Sequence, residues 1–290
     1  LFVRHSVIRD NYGYGIYACT NCFTTGPGIA VVFTGNRMVQ NQFGHVFLNR
    51  LRSARFDHNV MIGGGYDALN LYGDTASTLV TFVGDSITVR AGGGGWINLY
   101  DFDSLAVDSL IVQQRGPSYP YIRGGRITTV RNSRFLDLEG YALNVDAFPR
   151  DSSHLLLRKV EFLGPDSAVC DRCGYAVDSY RTSVDADSVV AANLNWVFDV
   201  QRRITLRNAT VTHAWYLLYL ACGTGKLSQV KSTDVYYGVQ VYGSGCLNDS
   251  LVVDSSSFRR QYRAIDADYV TTLVTNTVFE NTTFEAINQF

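Results

Sequence analysis

A polar residue recurs in this sequence at one place in a short pattern, flanked by aliphatic residues. The pattern is a small residue (Trp96 in one copy), an aliphatic, the variable residue, then another apolar one (Ser179 in one copy). It reads Ala68-Leu69-Asn70-Leu71, Trp96-Ile97-Asn98-Leu99, Ala142-Leu143-Asn144-Val145, Ala176-Val177-Asp178-Ser179, Gly238-Val239-Gln240-Val241 and Ala264-Ile265-Asp266-Ala267. Tyr17 and Asn288 stand at the same place. Two residues further on come Tyr72, Tyr100, Asp146, Tyr180, Tyr242 and Asp268. Amides and carboxylates beside flat rings suit a sugar chain, because rings cover apolar sugar faces and polar groups pair with hydroxyls. The substrate-binding candidates are therefore Asn70, Tyr72, Asn98, Tyr100, Asn144, Tyr180, Gln240 and Asp266. The plainer reading makes the same Asn and Asp the solvated outer residues of a sheet, laddered to steady the stack.

Strict alternation places the aliphatics on one side of a strand and the variable residue on the other. A second motif sets the spacing of these strands. It is a polar residue followed shortly by a large apolar one, as in His5-Ser6-Val7-Ile8, Asn59-Val60-Met61, Asn132-Ser133-Arg134-Phe135 and Asn276-Thr277-Val278-Phe279. The apolar anchors are Ile8, Met38, Met61, Ile87, Ile111, Phe135, Phe162, Val190, Val211, Val235, Phe258 and Phe279, spaced 21 to 30 residues apart. Two or three strands in so short a period leave no room for helices. Each unit must bury its apolar face against a neighbour above and below, so the chain is an all-β solenoid of about twelve coils.

The composition agrees. Of 290 residues, 22 are Arg and 3 Lys, 22 Asp and 4 Glu. The helix-favouring Lys and Glu are scarce, and Asp favours turns. The net charge of -1 argues against a general nucleic-acid binder. No run of 18 apolar residues marks a membrane span. The chain begins at Leu1 and ends at Phe290 inside its pattern, so a single domain spanning 1–290, cut from something longer, is expected.

The repeat resembles the right-handed parallel β-helix of pectin-lyase-like proteins, from Phe2 to Asn288. The resemblance implies binding of an extended polysaccharide along the outward face of one parallel sheet, outside the cell or at its surface. It also implies that cleavage, if any, is by a lyase or a glycoside hydrolase. Asp146 and Asp178 then fall in neighbouring coils, one step across and two residues along, roughly 8 Å apart. That separation suits an inverting glycosidase, which fits a water between acid and base. Arg181, beside Tyr180, would hold an acidic sugar or help to abstract a proton, so Asp146, Asp178 and Arg181 are the catalytic candidates. A lyase would add calcium on Asp side chains to neutralise a uronate; no other cofactor is implied. The family's enzyme signatures are absent. A non-catalytic rod that spaces domains, adheres to other surface proteins or self-associates is therefore the alternative.

Six cysteines, Cys19, Cys22, Cys170, Cys173, Cys222 and Cys246, complete the inventory. Two C-x-x-C pairs suggest a zinc site, but six coils at about 4.8 Å keep them far apart. Each pair closes a local disulfide, Cys19–Cys22 and Cys170–Cys173, or forms half of an intermolecular metal site. Cys222 and Cys246 lie one coil apart, where a disulfide fits, with two buried thiols as the alternative. An even count at these spacings points to an oxidising compartment. Gly63–Gly65 and Gly92–Gly95 read as turns. Two arginine groups, Arg50, Arg52 and Arg55, and Arg123, Arg126, Arg131 and Arg134, read as solvated turns or a grip on an anionic polymer.

Overall fold

The computed structural model describes residues 1–19, 28–74, 78–90, 94–148, 150, 152–166, 174–243 and 249–289. Within them there is no helix, and every strand pairing is parallel. The pairings sort the strands into three columns. Face A runs from Phe2–Arg4 to Thr271–Thr275, face B from Val7–Arg9 to Val278–Glu280, and face C from Tyr14–Cys19 to Glu285–Gln289. The chain visits them in the order A, B, C and climbs one coil at each circuit. Some strands turn corners without a break. Thr182–Val200 contributes 182–187 to face A, 190–192 to face B and 196–200 to face C. The expected parallel β-solenoid is therefore present, with twelve strand levels in the face B column, against the twelve coils read from the anchors.

Nine of the twelve anchors share one face B row, from Ile8 and Met38 through to Phe258 and Phe279. The other three are corrected. In that row stand Val112, Ala191 and Ser232, in place of Ile111, Val190 and Val235. Ile111 and Val190 point outward, 41% and 46% exposed. Each is one residue from the row, and a slip of one residue sends a strand side chain to the opposite face. Val235 is buried, but three residues beyond the row, opposite Ala214.

The joint between faces A and B explains the polar residue of the anchor motif. In each coil a single residue there takes a left-handed conformation. Among them are His5, Gly35, His58, Ser109, Asn132, Asn208 and Asn276, with φ between 47° and 60°. Asn tolerates this region better than most residues, and Gly tolerates it without cost. Gly35 is also required sterically, because a Cβ there would stand 2.8 Å from the ring of His5. The next residue turns inward. The Nδ2 group of Asn36 donates to Asn59 Oδ1 (2.9 Å), and that of Asn59 to Asp85 Oδ1 (2.8 Å). Backbone N–H groups of Asn36 and Asn59 donate to the same acceptors. Buried polar groups are thus paired coil to coil, as burial demands.

The interior is apolar and continuous, from Val31 to Val270. On face A the rings of Phe33, Phe56 and Phe82 stack at 5.1 and 4.7 Å. Each such ring buries a large apolar area and gains from offset stacking.

Candidate functional site

Face C carries the variable residues identified from the alternating pattern, and the register places them in one outward row. Tyr17 pairs with Phe47, Phe47 with Asn70, Asn70 with Asn98, and Asn98 with Tyr121. The row resumes with Asn144 opposite Asp178, Asp178 opposite Asp199, and Asp199 opposite Tyr219. It ends with Tyr219, Gln240, Asp266 and Asn288. A second row, two residues along, holds Tyr72, Tyr100, Arg123, Asp146 and Tyr180. Asp146 therefore stands one strand across and two residues along from Asp178.

A third row, three residues before the first, was not recognised in the sequence. It runs Tyr141, Tyr175, Trp196, Tyr216, Tyr237. Successive rings are 4.6, 5.9, 4.3 and 4.9 Å apart. The signal was available, because an aromatic residue precedes the small residue of the motif in Tyr141-Ala142, Tyr175-Ala176 and Tyr237-Gly238. Beside it, Trp215, Tyr236, Tyr262 and Phe284 form a parallel stack at 4.3, 4.6 and 5.3 Å. Toward the other end, Tyr17 stacks on Phe47 and Tyr72 on Tyr100. Rings stacked this way use their flat faces on each other and leave mainly edges and phenol hydroxyls for a ligand. The 49% exposed Trp215 heads its stack.

The outward row is not uniform. Near both ends its polar groups are spent on each other. Asn98 donates to Asn70 (3.2 Å), which donates to Asp67 (3.2 Å). Gln240 and Asn288 donate to Asp266 (3.4 and 2.8 Å), and Arg263 forms an ion pair with it at 3.0 Å. In these coils the laddered reading of the amides holds. In the middle, at Asn144, Asp178 and Asp199, no side-chain bond between coils joins the row among the described residues.

The middle is where carboxylates concentrate. Asp178 and Asp199 are direct neighbours on adjacent strands, about 4.8 Å apart at the backbone. Burial pushes the Asp178 carboxyl above its ordinary range, and Asp146 adds to the shift. Burial pushes Asp199 up to about 6, with Asp178 as the second cause. The Tyr141 phenol is pushed up to about 12 by burial, with Asp178 next in effect. Asp199 Oδ1 is buried and accepts no hydrogen bond among the described residues. No Arg or Lys forms an ion pair with Asp178 or Asp199 among the described residues. Sequence reasoning missed Asp199, although Val197-Phe198-Asp199-Val200 carries the same alternation.

Arg181 stands at the corner beyond face C, in a left-handed conformation (φ 54°). Its guanidinium lies 5.0 Å from the Tyr180 ring and 5.8 Å from that of Phe148, which also carries Arg123 at 4.1 Å. Asp146 Oδ1 accepts the Phe148 N–H at 2.9 Å. Asp146 and Arg181 thus meet around Phe148, while Asp178 groups with Asp199 and the aromatic row.

The arginine groups resolve mostly into ion pairs. Arg55 pairs with Asp57 (2.8 Å), Arg126 with Asp103 (3.1 Å), Arg131 with Asp108 (3.0 Å), and Arg134 with Glu161. Neither Cys19 nor Cys222 is a free thiol. Cys22, Cys170, Cys173 and Cys246 lie outside the described residues, and with them the pairings Cys19–Cys22, Cys170–Cys173 and Cys222–Cys246. No helix is long and apolar enough to cross a membrane among the described residues. No family model, no curated protein and no solved structure matches the chain.

Proposed function

We propose that face C binds an extended polysaccharide across its central coils, and that the protein is a pectin-lyase-like parallel β-helix working outside the cell. One observation carries the reading: Asp178 and Asp199 are desolvated, outward-facing carboxylates with no ion-pair partner among the described residues. Burying charge without a partner is costly, so groups left this way are candidates for function. Sugar hydroxyls are donors, and they would fill the lone pairs that the protein leaves empty. Asn144 and the phenol edges of Tyr141 and Tyr175 extend the polar strip along the rod, and Trp215 offers an exposed ring. Half-cystines at Cys19 and Cys222 fit an oxidising compartment.

Affinity electrophoresis through gels cast with neutral polysaccharides tests the reading. Wild-type protein is expected to be retarded in at least one gel, and Asp178→Asn with Asp199→Asn to migrate freely in it. Unretarded wild-type protein in every gel would retire the proposal.

The same pair supports a second reading, glycoside cleavage. Carboxylates on directly adjacent strands sit nearer the roughly 5–5.5 Å of retaining enzymes than the wider spacing of inverting ones. Asp199, whose carboxyl holds its proton up to about pH 6, would be the acid and Asp178 the nucleophile. Release of reducing ends that stops in either Asn variant is the expected result; activity surviving in both would exclude the pair.

A further inference from the structure

A groove runs along the corner between faces B and C in the first five coils, away from the carboxylate pair. Asp10, Gln40, Gly63, Thr88 to Arg90 and Arg115 line it in successive coils, with the exposed Tyr12 at one end. From Asp10 in the first coil to Arg115 in the fifth, it spans four steps of about 4.8 Å, roughly 19 Å. That is long enough for several units of an extended chain.

Its charge is positive. Arg90 and Arg115 follow Val89 and Gln114, which pair in register, so two guanidinium-bearing residues stand on adjacent coils. Neither forms an ion pair among the described residues. Asp10, the one acid among the described lining residues, is already engaged by Arg9 at 3.5 Å. Two like charges at that spacing repel, and an anion between them relieves the repulsion. Gln40 and Gln42 add carboxamide donors in the same groove. Two planar guanidiniums with carboxamides supply more donors than the two oxygens of a carboxylate accept. A tetrahedral oxyanion with three free oxygens uses them better. Amides and the 82% exposed Tyr12 ring beside it suit a hydroxyl-bearing chain.

We propose that this groove binds a sulfated polysaccharide segment, with Arg90 and Arg115 clasping one sulfate ester. The site is separate from the face C strip and does not depend on it. Fluorescence anisotropy of a labelled, heparin-derived decasaccharide tests the assignment at 0.1 M salt. Its desulfated form, which keeps its carboxylates, and a single-stranded oligonucleotide of matched charge serve as competitors. Wild-type protein is expected to bind the sulfated chain at least tenfold more tightly than either. The double variant Arg90→Gln/Arg115→Gln should weaken binding at least tenfold, and Tyr12→Ala about threefold. Arg126→Gln/Arg131→Gln removes the same charge from elsewhere on the rod and should change affinity less than twofold. The assignment is overturned by no binding, by equal binding of the desulfated chain, by preference for the oligonucleotide, or by equal losses in the two double variants. Asp178→Asn/Asp199→Asn should leave this affinity unchanged, so the two sites fail or stand separately.

Discussion

Carboxylates at the joint between faces A and B and those in the middle of face C live under opposite rules. At the joint, Asp108 accepts from Asn132 of the next coil, from Ser109 and from Arg131, and its carboxyl is held below the ordinary range. Asp187 does the same with Asn208 and Ser188, and Asp254 with Thr275, Asn276 and Ser255. On face C, Asp178 and Asp199 are desolvated and set against each other, and both are raised. Asp85 lies between the two cases. It accepts from Asn59 and from Val83, yet burial outweighs those bonds and pushes it up to about 6. One residue type thus serves as mortar in one place and as an unspent group in another. Partners on the neighbouring coil, weighed against burial, decide which.

The largest expected effect comes from breaking the buried row behind the joint. Asn59→Leu strands the donors of Asn36 and removes the side-chain donor to Asp85 and to the Phe33 carbonyl, and should cost about 3 kcal/mol. Thermal unfolding should show this as a loss of roughly 5–10 °C. A drop of under 2 °C would mean that the row is not structural.

Asp199→Asn sharpens the contrast through pH. The Asp199 carboxyl is raised in the folded state, so its favourable contribution is complete below about pH 4 and is lost as pH rises through about 6. The Asn variant should therefore match wild type at pH 4 and exceed it at pH 8 by about 1 kcal/mol, after allowance for partial exposure. Equal stability at both pH values would show that Asp199 is well solvated. A companion measurement is the carboxyl NMR titration of Asp199 in Asp178→Asn. Its midpoint should fall once the neighbouring charge is gone, and an unmoved midpoint would break the pairing.

The smallest effect belongs to the joint. Asp108 is depressed in the folded state, so its contribution is present above its unfolded value and fades as pH falls. Asp108→Asn should lower stability at pH 7 by about 0.5 kcal/mol, as expected for exposed pairs, and leave it unchanged at pH 2. A larger loss at pH 2 than at pH 7 would reverse the sign of the argument.

Much of this was legible before any coordinates. Alternation alone placed Asn70, Asn98, Asn144, Asp178, Gln240 and Asp266 in one row, because period two is imposed by the strand itself. The same logic misplaced Ile111 and Val190, where two adjacent apolar residues offer two registers and the sequence does not say which faces in. It passed over Asp199 and Trp196, although Phe198 and Val200 flank Asp199 in the same alternation. Which Asp is neutralised was not legible, since Arg131 and Asp108 are 23 residues apart and meet only through the coil register.

The left-handed joint has one more consequence. From the last paired residue of face A to the first of face B the count is two or three: three in Asp57 to Val60, Asp108 to Ile111, Arg207 to Thr210 and Thr275 to Val278, and two in Arg158 to Val160 and Asp187 to Val189. Beyond the face strands themselves, the repeat length of 21 to 30 residues therefore varies chiefly at the two margins of face C. The rod has one rigid hinge-line and two elastic hems. Added sequence is channelled to the borders of the surface that carries the carboxylates, where it can wall that surface in without shifting a single coil.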